Sequence, residues 1–290
     1  MSPTFEIPVF SAAAAKVAVD NAATRLEVNR TGSYAAGGLT PTRAEVDSVL
    51  SALGGPQSTT PLRVMIRPRG PPPSGEPDFL YSDEEFREMR SDLEAFVESG
   101  LLQATRGDGF VFGILARDGD DSSSLLRIDT DRNRQLVQAA EPYACVFHRA
   151  FDSVLGKDLT SAEEGLAALR DCGFAGVLTA GGPGSRGAIE HADSLKKLVS
   201  AERAVAGSAQ ARPHASIELV VGGGVRSSNV GELAKAILAA EEGGHTSVVS
   251  FHSSCLEDSA AATAKGAEGE TISAEEVERI HKALASIEGM

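Results

Sequence analysis

Cysteine is scarce: Cys145, Cys172 and Cys255 are the only three among 290 residues. An odd, sparse set supplies no disulfide framework and fits a reducing compartment. Positive charge is also short, with 27 lysines and arginines against 41 acidic residues and a formal net charge of −14. That balance repels phosphate backbones and anionic lipid, so neither nucleic acid nor a membrane is an expected partner. A local arginine cluster can still override the global sign for a small anion. No apolar run approaches the roughly 20 residues that span a bilayer. Residues 1–10 contain no basic segment and carry Glu6, so they do not read as a signal peptide. The expected location is cytoplasmic, and nothing in the sequence separates that from nuclear residence.

What is present is an apolar pattern that alternates between short strand-like runs and longer helical ones. The strand candidates are Phe5–Phe10, Arg25–Asn29, Leu62–Arg67, Gly109–Leu115, Ala144–Arg149, Ala175–Thr179, Ile217–Gly222 and Thr246–His252. Most are unbroken apolar runs, as in parallel strands buried on both faces. Between them, Ser11–Asn21 is alanine-rich. Ser82 with Glu85, and Ser273 with Glu276, have capping-box spacing before helical apolar periodicity. Eight strands alternating with helices predict a single (β/α)₈ TIM barrel over residues 1–290, with an open doubly wound sheet as the alternative. Segments near 54–60, 71–78, 118–124, 207–216 and 258–270 are rich in Gly, Pro, Ser or Ala and read as surface-loop insertions.

Charged residues gather at the strand ends. The third strand ends in Arg67-Pro68-Arg69-Gly70, the fifth in His148-Arg149-Ala150-Phe151-Asp152 and the eighth in His252-Ser253-Ser254. In a barrel these project from one carboxyl-terminal rim, where such folds place their sites. Converging arginines there would bind carboxylate or phosphate, or they could close a structural ion-pair network. Glu6 and Glu27 fall inside strand-like runs, where a carboxylate must be paired or titrate near neutrality. Gly222, Gly223 and Gly224, followed by Arg226, could present backbone amides to an anion after the seventh strand. Thr179 precedes a second glycine pair. Cys145 and His148 are three apart in a strand and point to opposite faces, so they cannot share an ion. His252 and Cys255 lie where a strand becomes a loop and could chelate jointly, a thiolate and imidazole pair that suits Cu(I) or zinc.

Together these segments resemble the CutC copper-homeostasis family. The resemblance rests on Gly37-Gly38-Leu39-Thr40-Pro41, Met65-Ile66-Arg67-Pro68-Arg69-Gly70, Tyr81-Ser82-Asp83, Val146-Phe147-His148-Arg149-Ala150-Phe151-Asp152, Val177-Leu178-Thr179, Gly222-Gly223-Gly224-Val225 and Phe251-His252-Ser253-Ser254. It implies a barrel, cytosolic residence, self-association as a dimer or tetramer, and a role in handling Cu(I). Many relatives carry cysteine near the ends of the first two strands as the proposed copper ligands. Here those segments read Glu6-Ile7-Pro8-Val9 and Arg25-Leu26-Glu27-Val28-Asn29, without cysteine.

Two functions follow from this reading. One is a copper-homeostasis protein that takes Cu(I) through His252 and Cys255. The other is a barrel enzyme or binding protein for a small anionic metabolite, phosphorylated or not. There Arg67, Arg69, Arg149 and Arg226 would hold the anion, assisted by the glycine amides, and His148 or Glu27 would transfer a proton. Glu6, Asp152, Thr179, His252 and Ser253 complete the expected ligand-binding set. No reaction follows from the residues alone.

Overall fold

The computed structural model describes residues 3–73, 75–117, 119, 125–155, 160–183, 187–206, 216–238, 249–257 and 270–287. Eight parallel strands close into a barrel: β1 (Thr4–Val9), β2 (Arg25–Val28), β3 (Leu62–Met65), β4 (Gly109–Phe112), β7 (Ala144–Phe147), β8 (Gly176–Thr179), β9 (Glu218–Val221) and β10 (Val249–His252). Each pairs with its neighbours in chain order, and β1 closes the ring against β10, with Glu6 opposite His252. The predicted single barrel is the observed fold.

The run Gly109–Leu115, read as one strand, is two. It breaks at Gly113, and Leu115–Arg117 (β5) turns outward to pair antiparallel with Leu126–Ile128 (β6). The insertion read at 118–124 falls between these strands and, apart from residue 119, lies outside the described residues. So do most of the segments at 207–216 and 258–270.

Eight α-helices among the described residues surround the barrel: α1 (Ala12–Asp20), α2 (Arg43–Ala52), α3 (Asp83–Glu98), α4 (Thr130–Ala139), α5 (Thr160–Cys172), α6 (Ala192–Ala206), α7 (Val230–Leu238) and α8 (Ala274–Ala285). None is long and apolar enough to cross a membrane. Their starts follow local chemistry. The Ser82–Glu85 capping box forms as expected, and α2 has a second one in Thr42 and Glu45. The Ser273–Glu276 box forms only by half. Ser273 Oγ accepts from the Glu276 amide, but the Glu276 carboxylate instead binds the amide and hydroxyl of Ser227 at 2.8 and 2.6 Å. A long-range partner has overridden a local one.

Alternation along each strand sorts the core. Outward residues such as Phe5, Ile7, Leu26, Val64, Phe110, Phe147 and Phe251 pack under the helices. Inward residues fill the barrel in layers. Near the amino-terminal end lie Arg25, Arg63, Glu218 and Ser250. Two residues further along come Met65, Val111, Val146, Leu178 and Val220, a separate apolar cluster. Two further again, at the mouth, stand Asn29, Arg67 and His148.

The charged layer is closely knit. Arg25 Nε and Arg63 Nη1 reach Glu6 Oε2 at 2.5 and 3.1 Å, and the same two arginines meet Glu218 at 3.0 and 2.6 Å. Two cations and two anions cancel. Burial opposes the charge on Glu218, but Arg63 and then Arg25 outweigh it and hold its carboxyl down at about 2. Replacing Arg63 with methionine leaves the two carboxylates sharing one cation, which costs about 3–5 kcal/mol; urea unfolding measures it. Because the folded Glu218 value lies below the unfolded one of about 4.3, its contribution is present above that pH and is lost as pH falls toward 2. The stability gap between wild type and Glu218→Gln should therefore narrow on acidification over that window.

Candidate functional site: the mouth of the barrel

A cavity of about 490 Å³ opens at the carboxyl ends of the strands, a size that suits a small ligand. Its floor carries Glu27 and His252 beside Met65 and Leu178. Phe10 and Tyr34, which meet edge to face, form one wall. Phe79 forms another, with its ring 4.6 Å from that of His148 and the Arg67 guanidinium 5.0 Å from its centroid. Phe79 holds φ at +67°, a left-handed conformation that costs a non-glycine residue energy and is kept where the surroundings enforce it.

Of the four arginines expected to hold an anion, two are already committed. Arg67 binds Asp78 at 2.6 Å and the carbonyls of Ala36 and Gly38, so it faces the cavity as a tethered wall. Arg69 binds Glu85 at 2.5 Å, the Leu80 carbonyl and Asp78, and does not line the cavity. Arg149 and Arg226 remain available. Arg149 donates only its Nε, at 2.8 Å, to Asp152. Asp152 in turn accepts from Thr179 Oγ1 at 2.6 Å and from the Ala180 amide. Asp152 and Thr179 are therefore buried supports that aim Arg149; neither lines the cavity. Arg226 donates to the hydroxyls of Ser253 and Ser254 at 3.1 and 2.9 Å, and no carboxylate among the described residues pairs with it.

The glycine run divides as well. The Gly222 amide is spent on the Thr179 carbonyl at 3.0 Å. Gly223 and Gly224 have φ of +98° and +68°, and their amides have no acceptor among the described residues. A Cβ on Gly223 would meet Ala180 Cβ at 3.0 Å and the Arg149 guanidinium carbon at 3.3 Å, so the position needs glycine for both backbone and space. Gly223, Gly224, Arg149, Arg226, Ser253 and Ser254 thus form a donor-rich cup on one side of the cavity.

His148 occupies space left by Gly113, where a Cβ would lie 2.8 Å from the imidazole. Its Nδ1 accepts from the Ala150 amide at 3.3 Å, so the neutral ring carries its proton on Nε2, which is buried and has no partner. Burial, with Arg67 adding to it, pushes the His148 pKa down to about 3. Near neutrality this ring is a hydrogen-bond donor and not the proton carrier that its position in the sequence suggested.

Glu6 is not on the rim. It lies one layer down, where Oε1 meets His252 Nδ1 at 2.8 Å. Burial works against its charge, but Arg25 and Arg63, then His252, hold its carboxyl well below the usual carboxylate range. An ionised Glu6 can only accept, so His252 Nδ1 donates. Burial opposes the His252 cation, yet the Glu6 bond and the nearby Glu27 raise its pKa above the ordinary value. Glu27 Oε1 accepts from Asn29 Nδ2 at 3.1 Å, whereas Oε2 is buried without a partner. Burial pushes its carboxyl up, with His252 pulling the other way.

The cysteines lie elsewhere. All three are buried in the apolar core and none lines the cavity. Burial pushes the Cys172 and Cys255 thiols up to about 11, and Cys145 further. His252 faces the cavity but Cys255 does not, so the expected His252–Cys255 pair is not brought together there. Sequence reasoning missed Asp78, Phe79, Tyr34 and Asn29, all of which line the mouth.

The CutC family model matches residues 4–248. The chain belongs to the CutC family. It is 34% identical over 222 residues to a CutC family protein of Vibrio vulnificus, covering 75% of this chain and 70% of that one. A CutC family protein of Streptococcus pyogenes is 30% identical over 203 residues, covering 70% and 80%. The crystal structure of CutC from Streptococcus agalactiae superposes with a TM-score of 0.63 at 24% identity, covering 86% of this chain and 98% of that one; at that identity the likeness speaks for the fold. For this CutC chain, nitrogen-15 NMR should show a neutral His148 with its proton on Nε2 from pH 8 down to about 4. A protonated ring at pH 6 would contradict the assigned geometry.

Proposed function

We propose that this CutC chain binds a small phosphorylated or carboxylated metabolite in the barrel mouth, in a site built as an enzyme site is built. The observation that carries this reading is the cup. Gly223 and Gly224, whose amides have no acceptor among the described residues, line the same space as Arg226, which no carboxylate among those residues pairs. Unspent donors of this kind favour an oxyanion, and the loops after the last two strands are a recurrent phosphate site in such barrels. With the anionic group in the cup, the rest of the molecule lies between Phe79 and the Phe10–Tyr34 pair. It is over the floor, beside the His148 ring. The Nε2–H of that neutral ring is buried without an acceptor, and turning it toward the cavity would let it polarise an oxygen of the ligand.

The Streptococcus agalactiae neighbour is named for copper homeostasis. Direct Cu(I) chelation finds no suitable donors in this cavity. Its one sulfur among the described residues is the Met65 thioether, packed in the apolar layer, and the remaining donors are carboxylates and imidazoles, which do not select Cu(I).

The test is equilibrium binding of inorganic phosphate and of simple phosphate monoesters, read by calorimetry. Removing one charge-assisted partner costs about 1.5–3 kcal/mol, so Arg226→Ala should weaken binding by tenfold or more. Gly223→Ala should do the same, and the fully reduced chain should take up no stoichiometric Cu(I) against a competing chelator. Unchanged affinity in Arg226→Ala would overturn the reading.

A further inference from the structure

The floor of the cavity holds a carboxylate that nothing in the anion reading explains. Glu27 is 5% exposed, and its Oε2 has neither solvent nor a partner. Glu6 and Glu218 are balanced by Arg25 and Arg63, but among the described residues no arginine or lysine bonds Glu27. A buried carboxylate in that state calls for a cation or a proton.

Geometry favours the cation. Glu6, Glu27 and His252 each present one donor atom, and those atoms lie within 4.8 Å of one another. Glu27 makes no direct hydrogen bond to either of the other two; its partner is Asn29. With Glu27 close to the Glu6–His252 pair yet unbonded to it, there is room for an ion about 2.0–2.2 Å from Glu27 and from the free nitrogen of His252. His252 is also prepared as a ligand. Its Nδ1 is bound by Glu6, which fixes the ring and leaves Nε2 for coordination, an arrangement common around metal-bound histidines.

We propose that the floor of the barrel binds one divalent cation through Glu27 and His252. Glu6, with Oε1 on His252 Nδ1 and Oε2 shared by Arg25 and Arg63, orients the imidazole. Oxygen and imidazole donors select an ion such as Mn²⁺, Co²⁺ or Zn²⁺ over Cu(I). The remaining coordination positions face the cavity, where water or an oxygen of a bound molecule can occupy them. Glu27 then serves as a ligand and not as a direct proton carrier. This deepens the reading of the same cavity, but it is tested without any anion, so the two can fail separately.

The experiment is a Mn²⁺ titration of the full-length, chelator-stripped chain followed by electron paramagnetic resonance, repeated with Co²⁺ by absorption spectroscopy. Wild type should bind one ion per chain. Glu27→Gln keeps shape and removes charge, and should weaken binding at least tenfold while its circular dichroism and melting stay cooperative. Arg226→Ala, which removes none of the proposed ligands, should still bind one Mn²⁺ per chain. Absence of stoichiometric binding of Mn²⁺, Co²⁺ and Zn²⁺ by wild type would overturn the proposal. Equal affinity in wild type and Glu27→Gln would overturn it too.

Discussion

The Glu6 carboxylate ties the interior of this barrel to its mouth. One oxygen is shared by Arg25 and Arg63, and the other holds the His252 ring. Glu6 therefore cannot be read as a surface ligand or as a simple core group. It converts the rigidity of a neutral, four-membered ion layer into a fixed orientation of one imidazole two layers from the amino-terminal end. Such a layer gains little net stability over an apolar one, because desolvation offsets most of the attraction. What it supplies here is position. The strands could not hold His252 by its backbone alone, since an imidazole at a strand end has rotameric freedom that packing against Gly222 does not remove.

A second device of the same kind operates on the opposite side. Asp152, buried below the rim, joins β8 through Thr179 and the Ala180 amide to the guanidinium of Arg149. In both cases a buried carboxylate fixes a basic group that faces the cavity. In both, the carboxylate itself is withdrawn from the ligand. His148 is handled differently, by exclusion: Gly113 leaves it room, Phe79 covers it, and its own backbone neighbour takes Nδ1. The three arrangements explain why so many charged residues can crowd one rim without repelling one another. Most of them are spoken for by partners on adjacent strands before any ligand arrives.

The architecture was legible because parallel strands buried on both faces leave short apolar runs at regular intervals, and seven of the eight runs begin a strand within a residue of the expected place, while the eighth, expected from Thr246, is described only from Val249. The boundaries that moved did so for tertiary reasons. Gly113 breaks β4 because His148 needs the volume, and Glu276 leaves its own helix cap because Ser227 offers a better-placed donor pair. The site was legible as a set of residues and less so as a set of roles. A strand position gives the face of a side chain but not its depth, so Glu6 stood in the expected ligand-binding set although it sits below the cavity floor. A loop position gives even less. Asp78 and Phe79 follow the Pro71–Pro73 run with no periodicity to mark them, and only the pairing of Asp78 with Arg67 across the fold reveals that the loop is a wall.

The cysteines show how a shared family name and a shared chemistry can part. In this chain the thiols sit behind the strands, protonated by burial. The groups that face the mouth are two free-ended arginines, two glycine amides, two imidazoles and one uncompensated carboxylate. Where strand ends of the first two strands might have offered thiolates, Pro8 and Glu27 face the cavity instead. A site of this composition is hard in the chemical sense: oxygen and nitrogen, charge and hydrogen bonding. What it can recognise is set by those donors, so the proposed ligand is one that brings oxygen to the cup, and the proposed cation is the counter-charge that Glu27 would take.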